Sequence, residues 1–286
     1  MDYREQPAPP SLSRHVQCLW RLRDDDPAPQ VQAIYADGRC ELIAHTGAPM
    51  RLHGADGGSQ LQAPLLFAAQ QRGPIRLQPT GPVHCLGLRL TPAGSGLIAG
   101  ARLAPLRDRI PDLHELDPAF AAAFAQAARA CLADQGADEL WRLLAQRAAT
   151  HEPDDAIERA VALLDHADGD LRIADLADAV GLGLRNLQTR FLAEVGMTAK
   201  EYARVRRLQG LLRSLDEERS AIADAAARHG YSDQAHATHD LGRWTGTTPA
   251  RLVRALRGDR EGEATLRLAA AFVRGHSGVR AVALGR

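Results

Sequence analysis

The rhythm of apolar and polar positions changes once along the chain, at about residue 115. Before it, apolar runs are short and separated by Gly, Pro and Asp: Val31–Tyr35, Cys40–Ala44, Met50–Leu52, Leu65–Phe67, Ile75–Leu77 and Val83–Leu90. Runs of this length between breakers predict strands of a sandwich or barrel. Asp37-Gly38 and Asp56-Gly57-Gly58 read as turns between them. After Pro118 the apolar positions take helical spacing. Ala119–Leu132 is rich in strong helix formers, and Glu139–Arg147 places Trp141, Leu144 and Ala145 on one face. These two helices could link the halves of the chain, carry a dimer interface or pack on their own domain. Thr150–Asp155, with Pro153, reads as a linker. Asp154-Asp155 then falls in the first turn of a helix, where negative charge is favoured. Ile157, Ala160, Val161 and Leu164 form that helix's apolar stripe.

The second half contains a near-repeat. Ile173-Ala-Asp-Leu-Ala-Asp-Ala-Val-Gly181 matches Ile222-Ala-Asp-Ala-Ala-Ala-Arg-His-Gly230, and past one inserted residue Leu187 pairs with Ala237, Phe191 with Leu241, Gly196 with Gly246, Thr198 with Thr248 and Tyr202 with Leu252. Each copy reads as helix, glycine turn and second helix, the helix-turn-helix pattern. The units span about 172–192 and 220–244, joined by a helix over about 199–215. A last helix starts at Pro249. In the second helix of unit one, Leu184, Leu187 and Phe191 are expected on the buried face. Arg185, Asn186, Gln188 and Thr189 are expected outward. In unit two Ala237 and Leu241 are expected inside, with Gln234, Ala235, His236, Thr238 and His239 outside and Ser232 as N-cap. Arg, Gln, Asn and Thr are side chains that read base edges in the major groove. Arg185, Gln188, Thr189, Gln234, Thr238 and His239 are therefore the candidate base-facing residues. Arg206 and Arg243 are candidates for phosphate or scaffold roles. Two units in one chain could enter successive major grooves about 34 Å apart.

Charge alone does not announce a nucleic acid, because 35 Lys and Arg balance 35 Asp and Glu. The balance is local, however: Val180–Arg257 holds 13 Lys and Arg against 8 Asp and Glu. Cys18, Cys40, Cys85 and Cys131 show no CxxC spacing, which suits reduced thiols in a cytoplasmic protein. No run approaches the ~18 apolar residues of a membrane helix, and no secretory signal order is present, so no membrane partner is expected. His45, His53 and His84 lie on strand candidates but lack a His-x-His pair and a downstream acidic ligand. His84 and Cys85 alternate across a strand and cannot share one metal. Neither a metal nor another cofactor is expected.

The stretch from Gly230-Tyr-Ser-Asp-Gln to Gly246-Thr-Thr-Pro249, with Leu187-Gln188, Phe191, Gly196, Tyr202 and Arg206 in the first unit, resembles the DNA-binding domain of AraC/XylS-family bacterial transcription regulators. His239 stands where that family usually has arginine, Leu241 where it has an aromatic residue, and Gly183 where it has a capping serine. Asp37-Gly38-x-x-Glu41-Leu-Ile43 and Gly87-Leu-Arg-Leu-Thr-Pro92-Ala-Gly94 look like motifs of a cupin-like domain fused to this module. The resemblance implies an α+β chain: a β-rich cupin-like sensor or dimerisation domain over 1–115, a helical linker over 116–152, an all-α bipartite helix-turn-helix domain over 153–257 and a tail over 258–286. It implies a sequence-specific DNA-binding regulator whose partner is double-stranded DNA, with a small-molecule effector, a homodimer and, in an activator, RNA polymerase as further partners. The effector-binding residues are not indicated. DNA-repair methyltransferases carry a similar module but need a zinc-held cysteine cluster, so no enzyme is expected. The alternative is a helix-turn-helix protein that acts mainly through protein partners; Asp240, beside His239, would favour it by placing negative charge near the DNA.

Overall fold

The computed structural model describes residues 1–54, 56–100, 103–133, 135–216 and 221–256. The helix candidate Ala264–Arg274 and the tail over 258–286 lie outside the described residues.

The first half forms nine strands: β1 (Asp2–Pro7), β2 (Val16–Asp24), β3 (Gln32–Ile34), β4 (Glu41–His45), β5 (Met50–His53), β6 (Ser59–Leu61), β7 (Leu65–Ala68), β8 (Ile75–Pro79) and β9 (Val83–Leu90). A larger antiparallel sheet has the order β1-β2-β9-β4-β7, and a smaller one β3-β8-β5-β6. Side chains of the larger sheet alternate between two environments, as a strand's period of two requires. Leu19, Leu42, Ala44, Leu86, Leu88 and Leu90 face a helical layer. Trp20, Leu22, Val83 and Cys85 face Met50 and Leu77 of the smaller sheet. Gly87 is required beneath Trp20: a Cβ there would lie 2.0 Å from Trp20 Cε2. Arg89, fully buried, is held by Glu41 at 3.0 Å and Glu5 at 3.1 Å. Both motif segments therefore sit at structural keystones.

Three short helices follow, α1 (Gly96–Ala99), α2 (Leu103–Leu106) and α3 (Leu113–Leu116), then α4 (Pro118–Leu132) and α5 (Asp138–Ala148). Asp117 caps α4 by accepting from Phe120 N. Phe120, Phe124, Ala127, Ala128 and Cys131 of α4 and Leu140, Trp141 and Leu144 of α5 pack on the larger sheet. The two helices thus form a third layer over the strands. Ala145 departs from its expected place and is exposed, because Leu140 takes the inner position.

The regular elements among the described residues of the second half are all helices: α6 (Asp155–His166), α7 (Ile173–Ala179), α8 (Leu184–Val195), α9 (Ala199–Asp216), α10 (Ile222–Arg228), α11 (Gln234–Thr245) and α12 (Pro249–Leu256). Its core gathers Ile157, Leu164, Leu176, Leu187, Phe191, Tyr202, Leu208, Ala225, Leu241 and Trp244 around α9. Tyr35 and Ala36 of the strand domain belong to the same core, so the two halves meet through a packed seam.

That seam is polar at its rim. Arg39 Nη1 donates to Tyr202 Oη at 2.6 Å and its Nη2 to Asp165 at 2.9 Å. Tyr202 Oη in turn donates to Asp165 at 2.6 Å, and Gln209 Nε2 donates to Ala36 O at 2.6 Å. Gly38, at φ +79°, lies against Tyr202, and a Cβ there would come within 2.8 Å of the ring. Only glycine combines that backbone with that approach. Arg72 and Arg107 reach Glu201 at the start of α9, and Arg14 meets Glu152, Asp155 and Glu158 around the start of α6.

Candidate nucleic-acid interface

In each unit two helices cross at a glycine in the left-handed region, Gly181 at φ +73° and Gly230 at φ +67°. Helix α8 starts at Gly183 without a side-chain cap, whereas α11 starts at Asp233, whose carboxylate accepts from His236 N at 2.7 Å. The cap of α11 is therefore Asp233 and not Ser232, which lies one residue too early. Capping holds the Asp233 carboxyl below the usual carboxylate range, His236 N being the main cause.

Leu187 and Phe191 face the core as expected, but Leu184 is 46 % exposed. It sits in the first turn, beyond the reach of the core, so its side chain joins the outward face. Arg185, Asn186, Gln188 and Thr189 are exposed along that face. Thr189 Oγ1 donates back to Arg185 O at 3.0 Å, which leaves its methyl and oxygen lone pairs for a partner. On α11, Ala237 and Leu241 are buried, Gln234, Ala235, His236 and His239 are exposed, and Thr238 is half-buried. Asp240 overturns the expectation of a negative charge on this face: it is only 7 % exposed, on the inner side with Tyr231. The Tyr231 hydroxyl is pushed well above its ordinary range by burial, with Asp240 adding to the effect.

The cations separate into two groups. Arg190 pairs with Asp154 at 2.5 Å, Arg206 with Asp165 at 2.8 Å, Arg207 with Asp170 at 3.3 Å and Arg213 with Asp168 at 2.6 Å. Arg207 also lies over the Tyr231 ring at 5.6 Å. These arginines brace the bundle, and Arg206, buried, is placed in the scaffold. Arg185 and Arg243 are exposed and make no ion pair among the described residues, and the same holds for Arg172, Lys200 and Arg251. Sequence reasoning marked all of them as basic; which ones already have carboxylate partners depends on contacts between helices distant in sequence.

Elsewhere His15 and His151 meet edge-on with ring centroids 5.8 Å apart, while His45, His53 and His84 have separate surroundings. His53 Nε2 lies 3.0 Å from Gln78 Oε1, His84 Nε2 lies 2.6 Å from Asp25, and His45 lines a cavity between the sheets. Among the described residues no group of three or more His, Cys, Asp or Glu is placed to hold a metal. All four cysteines are buried, and burial pushes the thiols of Cys18, Cys40 and Cys85 up to about 12, the opposite of a reactive thiolate. No described helix is long and apolar enough to cross a membrane. The cavity and the seam at Arg39 and Tyr202 were not singled out from sequence. Their signals were present in Asp37-Gly38-x-x-Glu41 and in Tyr202, but nothing in the sequence joined the two.

Residues 176–255 match a family model described as a helix-turn-helix domain. Residues 4–112 match one described as a domain of unknown function, DUF6597. The chain is 36 % identical over 81 residues to the probable transcription factor PqrA of Proteus vulgaris, a match over 28 % of this chain and 66 % of that protein. Among solved structures, ToxT from Vibrio cholerae aligns over 88 % of this chain and 98 % of its own, with 9 % identity and a TM-score of 0.45. ToxT with a bound unsaturated fatty acid aligns over 84 % and 95 %, with 11 % identity and a TM-score of 0.44. The xylose-binding transcription activator xylR aligns over 43 % and 38 %, with 20 % identity and a TM-score of 0.32.

Proposed function

Because the chain belongs to the AraC/XylS family of bacterial transcription regulators, a family of regulators and not of enzymes, we propose that it reads specific double-stranded DNA through both helix-turn-helix units under the control of its N-terminal domain. The observation that carries this reading is the division of the cations. Four arginines of the bundle are tied to carboxylates, while Arg185 and Arg243, on the second helices of the two units, stand exposed and without an ion pair among the described residues, as do Arg172, Lys200 and Arg251 elsewhere in the bundle. An arginine without a protein partner is the side chain best suited to a guanine edge or a phosphate.

In this reading Arg185, Gln188 and Thr189 contact bases from α8, and Gln234, Thr238 and His239 from α11. Arg243 meets phosphate. The first unit supplies more of the base reading, since unit two offers His239 and a half-buried Thr238 where unit one offers Arg185 and Gln188. The alternative, a module acting mainly through protein partners with weak DNA specificity, rested on His239 and Asp240; Asp240 is turned to the inner side, while His239 stands exposed. Control by the N-terminal domain is supported by the seam: Arg39, Gly38 and Ala36 all touch α9, the helix that joins the two units. The protein would work in the cytoplasm, where DNA is accessible, and an activator would also contact RNA polymerase.

Replacing Arg185 by alanine tests the base-reading role. The expected cost is roughly 1–3 kcal/mol of binding free energy with relaxed preference at one base position. A selection of binding sites from random DNA measures both. Uniform weakening on all sequences would make Arg185 a phosphate contact instead.

A further inference from the structure

The cavity between the two sheets has a volume of about 90 Å³, several times the ~10–15 Å³ that one water needs. Trp20, Ile43, Met50, Leu77, Val83 and Cys85 give it an apolar wall. Polar side chains interrupt that wall: Asp37, Arg39, Glu41 and Gln71, and with them His45 at the end of β4 and Gln62 after β6. Both ring nitrogens of His45 and the Oε1 of Gln62 are buried without a hydrogen bond of good geometry, although Gln62 lies near enough to His45 to act as a weak partner that favours its charged form. Buried polar atoms are normally satisfied, so three unsatisfied ones in a single apolar cavity require an explanation. Burial pushes the His45 imidazole down to about 4, with Gln62 opposing the shift. It is neutral at physiological pH and offers one N–H donor and one acceptor.

The charged groups at the cavity wall are already matched. Arg39 is held by Asp165 and Tyr202, Glu41 by Arg89 and the Trp20 indole, and Asp37 accepts from Arg39 N. A charged guest would find no counter-ion there and would lose its hydration.

We propose that this cavity binds a compact, uncharged and largely apolar molecule whose one polar group, a hydroxyl, carbonyl or amide, is hydrogen-bonded by His45 and Gln62. The inference rests on the reading of the N-terminal domain as a controlling domain and assigns the site of control. Tyr35, Ala36 and Arg39 line the cavity; Ala36 and Arg39 also bond to α9, and Tyr35 belongs to the core of the helical domain. A guest that shifts this segment therefore acts on the seam.

The test uses the full chain without DNA and three probes of similar shape: benzyl alcohol, toluene and benzoate. Binding is read by thermal shift and by the ring-nitrogen NMR signals of His45. Benzyl alcohol should bind saturably, move those signals and bind about tenfold more tightly than toluene, as one added hydrogen bond allows. Benzoate should bind more weakly than benzyl alcohol. His45→Leu should bring benzyl alcohol to the level of toluene. Should that variant fail to fold, Gln62→Leu reads the same loss from a half-buried position. Benzoate binding as tight as benzyl alcohol, unshifted His45 signals at saturation, or no saturable binding of any probe would overturn the proposal. DNA binding is absent from every arm, so such a failure leaves the DNA-reading function standing.

Discussion

Asp165 joins side chains from both domains. Arg39 comes from the strand domain, and Arg206 and Tyr202 from α9. Burial works against its charge, but Arg39, Arg206 and the Tyr202 hydroxyl outweigh it and hold the carboxyl below the usual carboxylate range. A depressed folded-state value stabilises the fold at pH above the unfolded value, ~3.9 for aspartate. That contribution is lost as pH falls through the folded value. Asp165→Asn keeps the shape and leaves two arginines without their carboxylate. We expect a loss of about 3 kcal/mol at neutral pH, near the lower end for breaking a buried pair, and a smaller variant-to-wild-type gap in acid. Chemical denaturation at pH 7 and below pH ~4 checks both; an unchanged gap would exclude the carboxylate as the source. At this scale the sequence was legible where helical period decides the environment, as at Leu187 and Phe191. It misled at Leu184 and Asp240. Leu184 stands in the first turn of its helix, where the period alone does not say how far the core reaches; Asp240 shares the inner face with Ala237, Leu241 and Trp244, so the helical period places it there although its charge suggested otherwise.

Among the elements, α6 and α8 are tied by a single residue. Asp154 caps α6 by accepting from Ala156 N and Ile157 N, and it also pairs with Arg190 of α8. Asp154→Ala should cost about 1–2 kcal/mol for the cap and loosen α8. Amide exchange at the start of α6 and along α8 should rise together. Faster exchange in α6 alone would show that Arg190 is not an anchor. The helices from α4 onward were legible because their apolar positions take helical spacing, whereas α1, α2 and α3 were not, being four residues each and too short to show a period. Six of the nine strands were legible as well, being apolar and flanked by breakers. β1 and β6 were not, because almost all their side chains are exposed and polar edge strands carry no apolar pattern. β2 was missed because Arg21, Arg23 and Asp24 interrupt its apolar positions, although Leu19, Trp20 and Leu22 are buried.

Across the whole molecule, the strand domain rests on the helix that spaces the two units. The seam passes from the cavity wall through Arg39 and Tyr202 to α9. Neither the seam nor the cavity could be read from sequence: the seam joins residues more than a hundred positions apart, and the cavity gathers side chains from strands of two different sheets; the helix repeat could, because it is written in the chain itself. The most direct measurement is a hydroxyl-radical footprint of the full chain on its selected site, with the protein-to-DNA ratio fixed by light scattering. One chain per site should protect two patches on one face of the duplex, about 10 bp apart, and Arg185→Ala should weaken one patch selectively. Protection of a single major groove by each chain, with a second patch appearing only when two chains bind, would contradict bipartite reading.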